Sequence, residues 1–384
     1  MTRSAFIHVQ HLLGTGHVFR AAAIGHALAA RGIEVTLATG NTLPPLLDTA
    51  GLTVVELPPV RALDARFKTF LTPDGREIDD TWKAARRDAT LAAFAARDFD
   101  LVLTETWPFG RRPFAFEMEP LVAAAQARAR PPLIAASIRD ILVRKQEIRK
   151  EEEMAERALA AYDIVLVHSD PEFVKLEDSF PFTERIAHLL RYTGFAETGN
   201  GSVPAPGAEG QDEVIVSCGG GAVGAGLLAA AIPARALSHS AGDCTWRLLA
   251  GHDIDPETFD SLRAQAGDGL IVERARRDFT ALLARARLSV SQAGYNTVLD
   301  ILRAGVPSVL VPFAQIKETE QQQRADALAR HGRAVSIPEK TLTPASLAAA
   351  VDAAIALPRR RIEVQLGGAE RAAEILAEAL EARG

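Results

Sequence analysis

SVSQAGYNTVLDILRAGVPSVLVPF, residues 289–313, carries the clearest structural signal in the chain. We predict short strands at its two ends, at 288–290, which begins one residue before this stretch, and at 308–311. Gln292-Ala293-Gly294 predicts a turn between them, and the apolar spacing after Gly294 is typical of a helix. A strand, a turn, a helix and a second strand in this order predict a βαβ unit with parallel strands.

The same alternation of short strands and longer helices extends in both directions along the chain. We predict further strands at 5–9, 33–38, 52–56, 100–104, 132–136, 163–167, 213–217, 246–249 and 270–272, and helices at 17–31, 82–96, from about 223, and at 362–382. Gly367-Gly368 weakens the last helical pattern locally. The alternation predicts an α/β fold with parallel sheets.

The composition changes between residues 197 and 212, where Gly, Pro and small polar residues replace the apolar pattern. We therefore predict two Rossmann-like halves. The predicted boundaries are an N-terminal domain at 1–197, a linker at 198–212, a C-terminal domain at 213–360 and a C-terminal helix at 361–384 that could pack back on the N-terminal domain.

Composition and charge exclude several classes of protein. A net charge of −6 argues against a nucleic-acid-binding surface over the whole molecule. Cys218 and Cys244 are too few for a disulfide framework or a zinc cluster. The N-terminus runs into a predicted strand without the apolar segment of a signal peptide, and no apolar run reaches about 18 residues. We expect a cytoplasmic protein, and attachment at the inner face of a membrane stays open.

A glycine turn, Leu13-Gly14-Thr15-Gly16-His17, follows the first predicted strand. Glycine lets the backbone approach a ligand, and the helix that starts here would direct its free N–H groups at the turn. The third glycine of a dinucleotide fingerprint is absent, because residue 19 is Phe. His17 is a candidate general base, since imidazole titrates near neutral pH. The alternative is a helix-start residue without a chemical role.

A second glycine turn, Gly219-Gly220-Gly221, follows the first predicted strand of the C-terminal half. A doubly wound domain would bind a phosphate at this place. The alternative is a tight turn with a purely structural role.

The turn at 292–294 could also present backbone N–H groups to an anion. Asp300 lies six residues after Gly294, and its carboxylate could accept hydrogen bonds from ribose hydroxyls. Glu320 and Gln321 start the next helix and could bind sugar hydroxyls. The alternative for Asp300 is an ordinary surface charge.

Polar residues also follow two strands of the N-terminal half, where α/β proteins form ligand sites. Glu105, Trp107 and Arg111 follow the strand at 100–104, and Arg139 follows the next one. The arginines could hold an anionic acceptor, and Trp107 could stack on a sugar. The alternative is a solvated loop with a packed aromatic ring.

Four motifs of the C-terminal half, together with the two-half layout, resemble the inverting GT-B glycosyltransferases of family 28. They are Ser-Gln-Ala-Gly at 291–294 with Asp300, Ala-Gly-Val-Pro at 304–307, Val-Pro-Phe at 311–313 and Glu-Gln-x-x-Arg-Ala-x-x-Leu at 320–328. This family includes the peptidoglycan lipid-intermediate N-acetylglucosaminyltransferase. The resemblance is strong over 270–335 and weak between 58 and 160.

The resemblance implies two Rossmann-like domains facing a cleft, and metal-independent transfer from a uridine diphosphate sugar donor, with no cofactor. The acceptor would be a small molecule or a lipid-linked glycan, and His17 would be the base. The implied donor residues are Gly219, Gly220, Gly221, Arg274, Phe279, Gln292, Ala293, Gly294, Asn296, Asp300, Glu320 and Gln321. With the residues considered above, the acceptor side comprises Gly14, Thr15, Gly16, Glu105, Trp107, Arg111 and Arg139.

Three other functions stay open. A non-hydrolysing nucleotide-sugar epimerase shares the two-half layout and would convert the donor without an acceptor. A catalytically inactive module would bind nucleotide without turnover, and a membrane-surface protein would bind vesicles.

Overall fold

The computed structural model describes residues 2–12, 15–44, 47–64, 67–196, 209–218, 224–252, 254–276, 278–313, 319–358 and 364–384. The chain forms two compact units. One comprises residues 1–198 and 364–384, and the other comprises residues 199–363. Each unit contains a parallel sheet, so the predicted α/β class is confirmed.

The first unit is built on a seven-stranded parallel sheet in the order β3-β2-β1-β6-β7-β8-β9. Its strands are β1 (Ser4–Val9), β2 (Glu34–Thr39), β3 (Thr53–Glu56), β6 (Leu101–Glu105), β7 (Leu133–Arg139), β8 (Ile164–His168) and β9 (Leu190–Tyr192), while β4 (Arg61–Ala62) and β5 (Phe70–Leu71) form a separate antiparallel pair. Its first four helices are α1 (Gly16–Ala29), α2 (Asp80–Ala95), α3 (Ala115–Gln126) and α4 (Ile148–Ala161).

Helices cover both faces of this sheet. Phe6 of β1 packs into a cluster with residues of α2, α3 and α4, while its neighbour Ile7 packs into a second cluster with residues of α1. Because successive strand residues enter opposite layers, a strand buried on both faces is apolar throughout its length. This explains why the strands were visible in the sequence as continuous apolar runs.

The second unit is built on a six-stranded parallel sheet in the order β12-β11-β10-β13-β14-β15. Its strands are β10 (Val214–Ser217), β11 (Trp246–Ala250), β12 (Leu270–Arg274), β13 (Leu288–Ser291), β14 (Ser308–Leu310) and β15 (Ala334–Ser336). Its helices are α5 (Ala225–Leu237), α6 (Pro256–Arg263), α7 (Phe279–Arg285), α8 (Tyr295–Ala304), α9 (Glu320–Arg330) and α10 (Pro344–Ile355). The strand order reverses between β10 and β13, where open α/β sheets bind ligands.

The last helix, α11 (Gly368–Ala382), belongs to the first unit and packs in one apolar cluster with α1. It starts later than predicted. Gly367 has a positive φ of 78°, and a Cβ on Gly368 would lie 2.5 Å from the Gly194 carbonyl oxygen. The backbone before Gly368 instead pairs with the first unit, since Phe195 N donates to Gln365 O at 2.8 Å. Among the described residues, no helix has both the length and the apolar character needed to cross a bilayer.

Candidate active site

The first candidate site lies at the carboxyl edge of the sheet in the first unit. Strands β1, β6, β7 and β8 are parallel neighbours, so their carboxyl ends meet at this edge. Glu105 ends β6 and is paired in register with Ser137 of β7, and His168 ends β8. Helix α1 starts beside them, with His17 in its first turn.

His17 and Glu105 form the centre of this site. Nδ1 of His17 lies 2.8 Å from Oε1 of Glu105. Arg20, one turn further along α1, donates Nε to Oε2 of the same carboxylate at 3.3 Å and also contacts Oε1 through Nη2. Arg20 Nη2 lies 3.2 Å from His17 Nδ1 as well. Since Arg20 can only donate, Nδ1 either accepts from Arg20 or donates to Glu105, and the shorter distance favours donation to Glu105.

The surroundings shift the pKa values of this pair in a definite direction. Burial, followed by the positive charge of Arg111, lowers the pKa of His17 to about 3, against an opposing hydrogen bond to Glu105. Burial alone would raise the pKa of Glu105, but the Arg20 charge and the hydrogen bond to His17 hold it well below its usual range. His17 is therefore a neutral imidazole beside an ionised carboxylate at pH 7. The prediction that His17 titrates near its ordinary value is wrong, because that value assumes solvent exposure.

Two arginines add positive charge around His17. Arg111 has a left-handed backbone with φ of 59°, and its Nε donates to Gln10 O at 2.8 Å, just after β1. Burial and the like charge of Arg139 lower the pKa of Arg111 to about 10. The charges of Arg111 and Arg139 also lower the pKa of His17, so both lie within electrostatic range of it. Both predicted arginines therefore act electrostatically on His17.

Two residues of the predicted acceptor side have a different environment from the one expected. Trp107 is only 3% exposed and packs in the apolar core, with the Arg157 guanidinium 5.5 Å from its ring centroid. Its predicted stacking on a sugar is wrong, because the loop after β6 turns the ring inward. Glu105 is not in a solvated loop, since it is 3% exposed and ends a buried strand.

The glycine turn before α1 is only partly described. Thr15 precedes α1 and its carbonyl accepts from Val18 N at 3.1 Å, and Gly16 is the first residue of the helix. Gly14 lies outside the described residues. Thr15 and Gly16 therefore lie within one turn of His17, as the sequence predicts.

The second candidate site lies at the carboxyl edge of the sheet in the second unit. Gln292, Ala293 and Gly294 connect β13 to α8, and the first two are buried. Asn296, in the first turn of α8, is exposed. The first backbone N–H groups of a helix have no partner within it, so the start of α8 can bind an anion. Gly219, Gly220 and Gly221 lie outside the described residues.

Asp300 lies further along α8 and is half-buried. Thr280 of α7 donates Oγ1 to Asp300 Oδ1 at 3.2 Å. Phe279 starts α7 directly before Thr280. Arg274 ends β12, but its Nη1 donates to the carbonyls of Gly251 and Ile254, both at 2.8 Å. Its guanidinium therefore holds the loop after β11.

Arg324 of α9 connects two segments of this site, and sequence analysis missed its role. It is 1% exposed, and Nη1 donates to Ala293 O at 3.3 Å while Nη2 lies 3.5 Å from Glu320 Oε2. Gln321 makes a second connection, because its Oε1 accepts from Phe313 N at 3.0 Å. The arginine in the Glu-Gln-x-x-Arg motif was the available signal. No group of three or more His, Cys, Asp or Glu residues in the described parts of the chain could hold a metal ion.

Comparisons with known proteins agree with this architecture. Residues 215–378 match the glycosyltransferase family 28 C-terminal domain. The chain is 25% identical over 374 residues to a UDP-N-acetylglucosamine--N-acetylmuramyl-(pentapeptide) pyrophosphoryl-undecaprenol N-acetylglucosamine transferase of Rhodopseudomonas palustris (strain BisA53). That alignment covers 94% of this chain and 93% of the relative.

Two solved structures are similar over nearly the whole chain. CalG4, the calicheamicin glycosyltransferase, has a TM-score of 0.60 at 18% identity and covers 100% of this chain and 96% of its own. Acinetobacter baumannii MurG has a TM-score of 0.59 at 17% identity and covers 98% of this chain and 99% of its own.

These likenesses and the two parallel sheets define the class: the chain is a glycosyltransferase with the GT-B fold. Within that class it resembles family 28, because residues 215–378 match the C-terminal domain of that family and the chain is 25% identical, over 94% of its length, to an N-acetylglucosamine transferase. The predicted fold, enzyme class and family resemblance are therefore confirmed.

Proposed function

We propose that this enzyme transfers a sugar from a uridine diphosphate donor to an acceptor hydroxyl or other nucleophile, with inversion and without a metal ion. The His17–Glu105 pair carries the proposal, with Nδ1 and Oε1 2.8 Å apart. A carboxylate bound at Nδ1 leaves Nε2 of a neutral imidazole as the basic nitrogen. The Rhodopseudomonas palustris relative is named for a UDP-N-acetylglucosamine donor, which supports uridine diphosphate.

His17 acts as the general base in this proposal. Its Nε2 accepts the proton of the acceptor hydroxyl while the hydroxyl oxygen bonds to the anomeric carbon. The bond from that carbon to the nucleotide diphosphate breaks, and its electron pair leaves on the phosphate oxygen. This single displacement inverts the anomeric centre. The lowered pKa keeps His17 unprotonated at neutral pH, and Glu105 stabilises the imidazolium as it forms.

The second unit binds the donor in this proposal. The backbone N–H groups at the start of α8 and its dipole stabilise the departing diphosphate, which is the task of a metal ion in other transferases. Asp300 accepts from the ribose hydroxyls, with one carboxylate oxygen also bound by Thr280. Glu320 and Gln321, at the start of α9, bind the donor sugar.

The first unit binds the acceptor in this proposal. Arg111 and Arg139 supply positive charge beside His17, which suits an acceptor with a negatively charged group. The relative named above acts on a pyrophosphoryl-undecaprenol acceptor, which supports a lipid-linked glycan over a neutral small molecule. Such an acceptor would place the enzyme on the cytoplasmic face of a membrane, through peripheral contact.

The test is transfer from UDP-N-acetylglucosamine to N-acetylmuramyl-(pentapeptide) pyrophosphoryl-undecaprenol in the presence of EDTA, followed by NMR. We expect a β-linked product from the α-linked donor, at a rate that added Mg²⁺ does not raise. A product with retained configuration, or a rate that depends on Mg²⁺, would contradict the proposal. Conversion of the donor sugar without an acceptor would identify an epimerase, and UDP binding without turnover would identify an inactive module.

A further inference from the structure

A row of buried hydrogen bonds continues from Glu105 away from His17. Ser137 Oγ lies 2.6 Å from Glu105 Oε2 and 2.9 Å from His168 Nε2. His168 Nδ1 lies 2.8 Å from Thr193 Oγ1. Ser137 and His168 are both completely buried, and Thr193 is 2% exposed. This row, Ser137–His168–Thr193, crosses the carboxyl ends of β7 and β8 and ends just beyond β9.

The ionised carboxylate fixes the direction of the hydrogen bonds that Ser137 and His168 make in the row. Glu105 can only accept, so Ser137 donates its one proton to Oε2. Ser137 Oγ must then accept from Nε2–H of His168. Burial lowers the pKa of His168 to about 3, so its imidazole is neutral and its Nδ1 accepts from Thr193. The Ser137 and His168 donors therefore point toward Glu105, while the one proton of Thr193 is shared between His168 Nδ1 and the Gly194 carbonyl oxygen.

The far end of the row is held by the backbone around it. The Thr193 hydroxyl also donates to the carbonyl oxygen of Gly194 at 2.8 Å. The next residue, Phe195, is fixed on both sides, because its N–H donates to Gln365 and its carbonyl accepts from Gly368 at 2.9 Å. Gly194 itself has no room for a side chain, since a Cβ there would lie 2.5 Å from Gln365 O. The row thus runs from a fixed backbone segment to the carboxylate.

We propose that Ser137 and His168 are positioning residues that orient His17 through Glu105. Ser137 and Arg20 both donate to Oε2 of Glu105, which fixes the carboxylate so that Oε1, shared with Arg20 and Thr106, accepts Nδ1–H of His17 and the lone pair of Nε2 is directed outward. The orientation of the base is then set by residues that touch neither substrate. The inference rests on the proposed function only in assigning a chemical use to Nε2, because the tautomer itself is a property of the free protein.

The first arm of the test reads the tautomers directly and needs no substrate. Long-range ¹H–¹⁵N spectra of protein labelled with ¹⁵N-histidine distinguish Nδ1–H from Nε2–H, and His17→Gln and His168→Gln variants assign the two signals. We expect His17 to carry Nδ1–H and His168 to carry Nε2–H. In Ser137→Ala, His17 should become a mixture of both tautomers. An unchanged His17 signal in a folded Ser137→Ala protein would overturn the proposal.

The second arm measures UDP release from UDP-N-acetylglucosamine. Ser137→Ala should lower kcat by about 10- to 100-fold and leave KM for the donor unchanged, as expected for loss of one hydrogen bond to a charged group. His168→Gln keeps an N–H donor for Ser137 and should retain more activity than His168→Leu. The matched control is Ser169→Ala, because Ser169 is equally buried but its hydroxyl donates to Val174 O at 2.6 Å.

The two arms separate the positioning role from the proposed base role. Mixed tautomers together with reduced kcat would support both. Mixed tautomers with full kcat would support the positioning role and contradict the use of His17 as the base. Equal loss of kcat in Ser137→Ala and Ser169→Ala would overturn the positioning role, since it would reflect general loss of packing.

Discussion

The two units place their candidate residues at equivalent edges of parallel sheets, but they hold them differently. In the first unit, Glu105 is bound by the side chains of His17, Arg20 and Ser137. In the second unit, Arg324 and Gln321 bind backbone atoms of the segments around them. Side chains that fix one another preserve the orientation of a reacting group, whereas side chains that fix the backbone preserve the shape of a turn. The difference suits chemistry in the first unit and anion binding in the second.

The largest effect should come from removing the carboxylate of the first site. Glu105→Leu leaves Arg20 buried without its charge partner, which costs about 3–5 kcal/mol in the free energy of unfolding. It should also abolish turnover, because His17 loses its hydrogen-bond acceptor. Urea unfolding and UDP release, both corrected for the folded fraction, measure the two effects.

Glu117→Leu is the matched control for this change. Glu117 is equally buried in the first unit and pairs with Arg86 at 2.8 Å rather than with His17 or Arg20. The Glu117→Leu variant should lose a similar free energy of unfolding but keep the turnover per folded molecule of the wild type. If both variants lose turnover equally, the first site has no chemical role distinct from that of an ordinary buried ion pair.

Substitutions in the second site should lower the affinity for UDP rather than the rate of turnover. Asp300→Ala should weaken UDP binding by about 1.5–3 kcal/mol, the value of a charge-assisted hydrogen bond, with little change in unfolding. Asp300→Glu should retain more affinity. Isothermal titration with UDP measures this, with Asp326→Ala on the exposed face of α9 as the control. Unchanged affinity in Asp300→Ala would make Asp300 a surface charge.

Stability of the first unit should depend on pH in the acidic range. The pKa values of His17 and His168 are lowered to about 3 in the folded protein, so the unfolded chain binds more protons below the ordinary value of 6.5. The contribution of the two neutral histidines to the free energy of unfolding is therefore fully present above pH 6.5. It is lost as the pH falls from 6.5 toward 3. By pH 5 the loss should be about 1–2 kcal/mol for each histidine. Urea unfolding at pH 7.5 and 5 should show a smaller difference in His168→Gln than in the wild type.

The smallest effect should come from Arg324. Arg324→Lys keeps the charge but cannot reach Ala293 O and Glu320 together, so UDP affinity should fall by about 0.5–1.5 kcal/mol. Arg330→Lys, exposed at the end of α9, is the control. Equal affinities in the two variants would show that the turn after β13 keeps its shape without Arg324.

The sheets were predictable because parallel strands buried on both faces form continuous apolar runs. His17 could be identified as a candidate from the sequence because it directly follows a glycine turn. Glu105 was noticed, but not as the partner of His17, because the two are 88 residues apart and meet only through strand pairing. His168 and Thr193 were missed for the same reason.

The wrong predictions also trace to tertiary structure. The sequence around Trp107 does not show whether its loop folds inward, and the lowered pKa of His17 depends on burial and on Arg111, far along the chain. Among the described residues of the helix expected at 362–382, helix is present only from Gly368, because the backbone just before Gly368 pairs with Phe195.

The most direct test of the account is to measure turnover and UDP affinity side by side in His17→Ala. If His17 is the general base held by Glu105, turnover should fall by about 10²- to 10⁴-fold, while calorimetry gives the UDP affinity of the wild type. Near-normal turnover in His17→Ala, or a loss of UDP affinity as large as that of Asp300→Ala, would contradict the account.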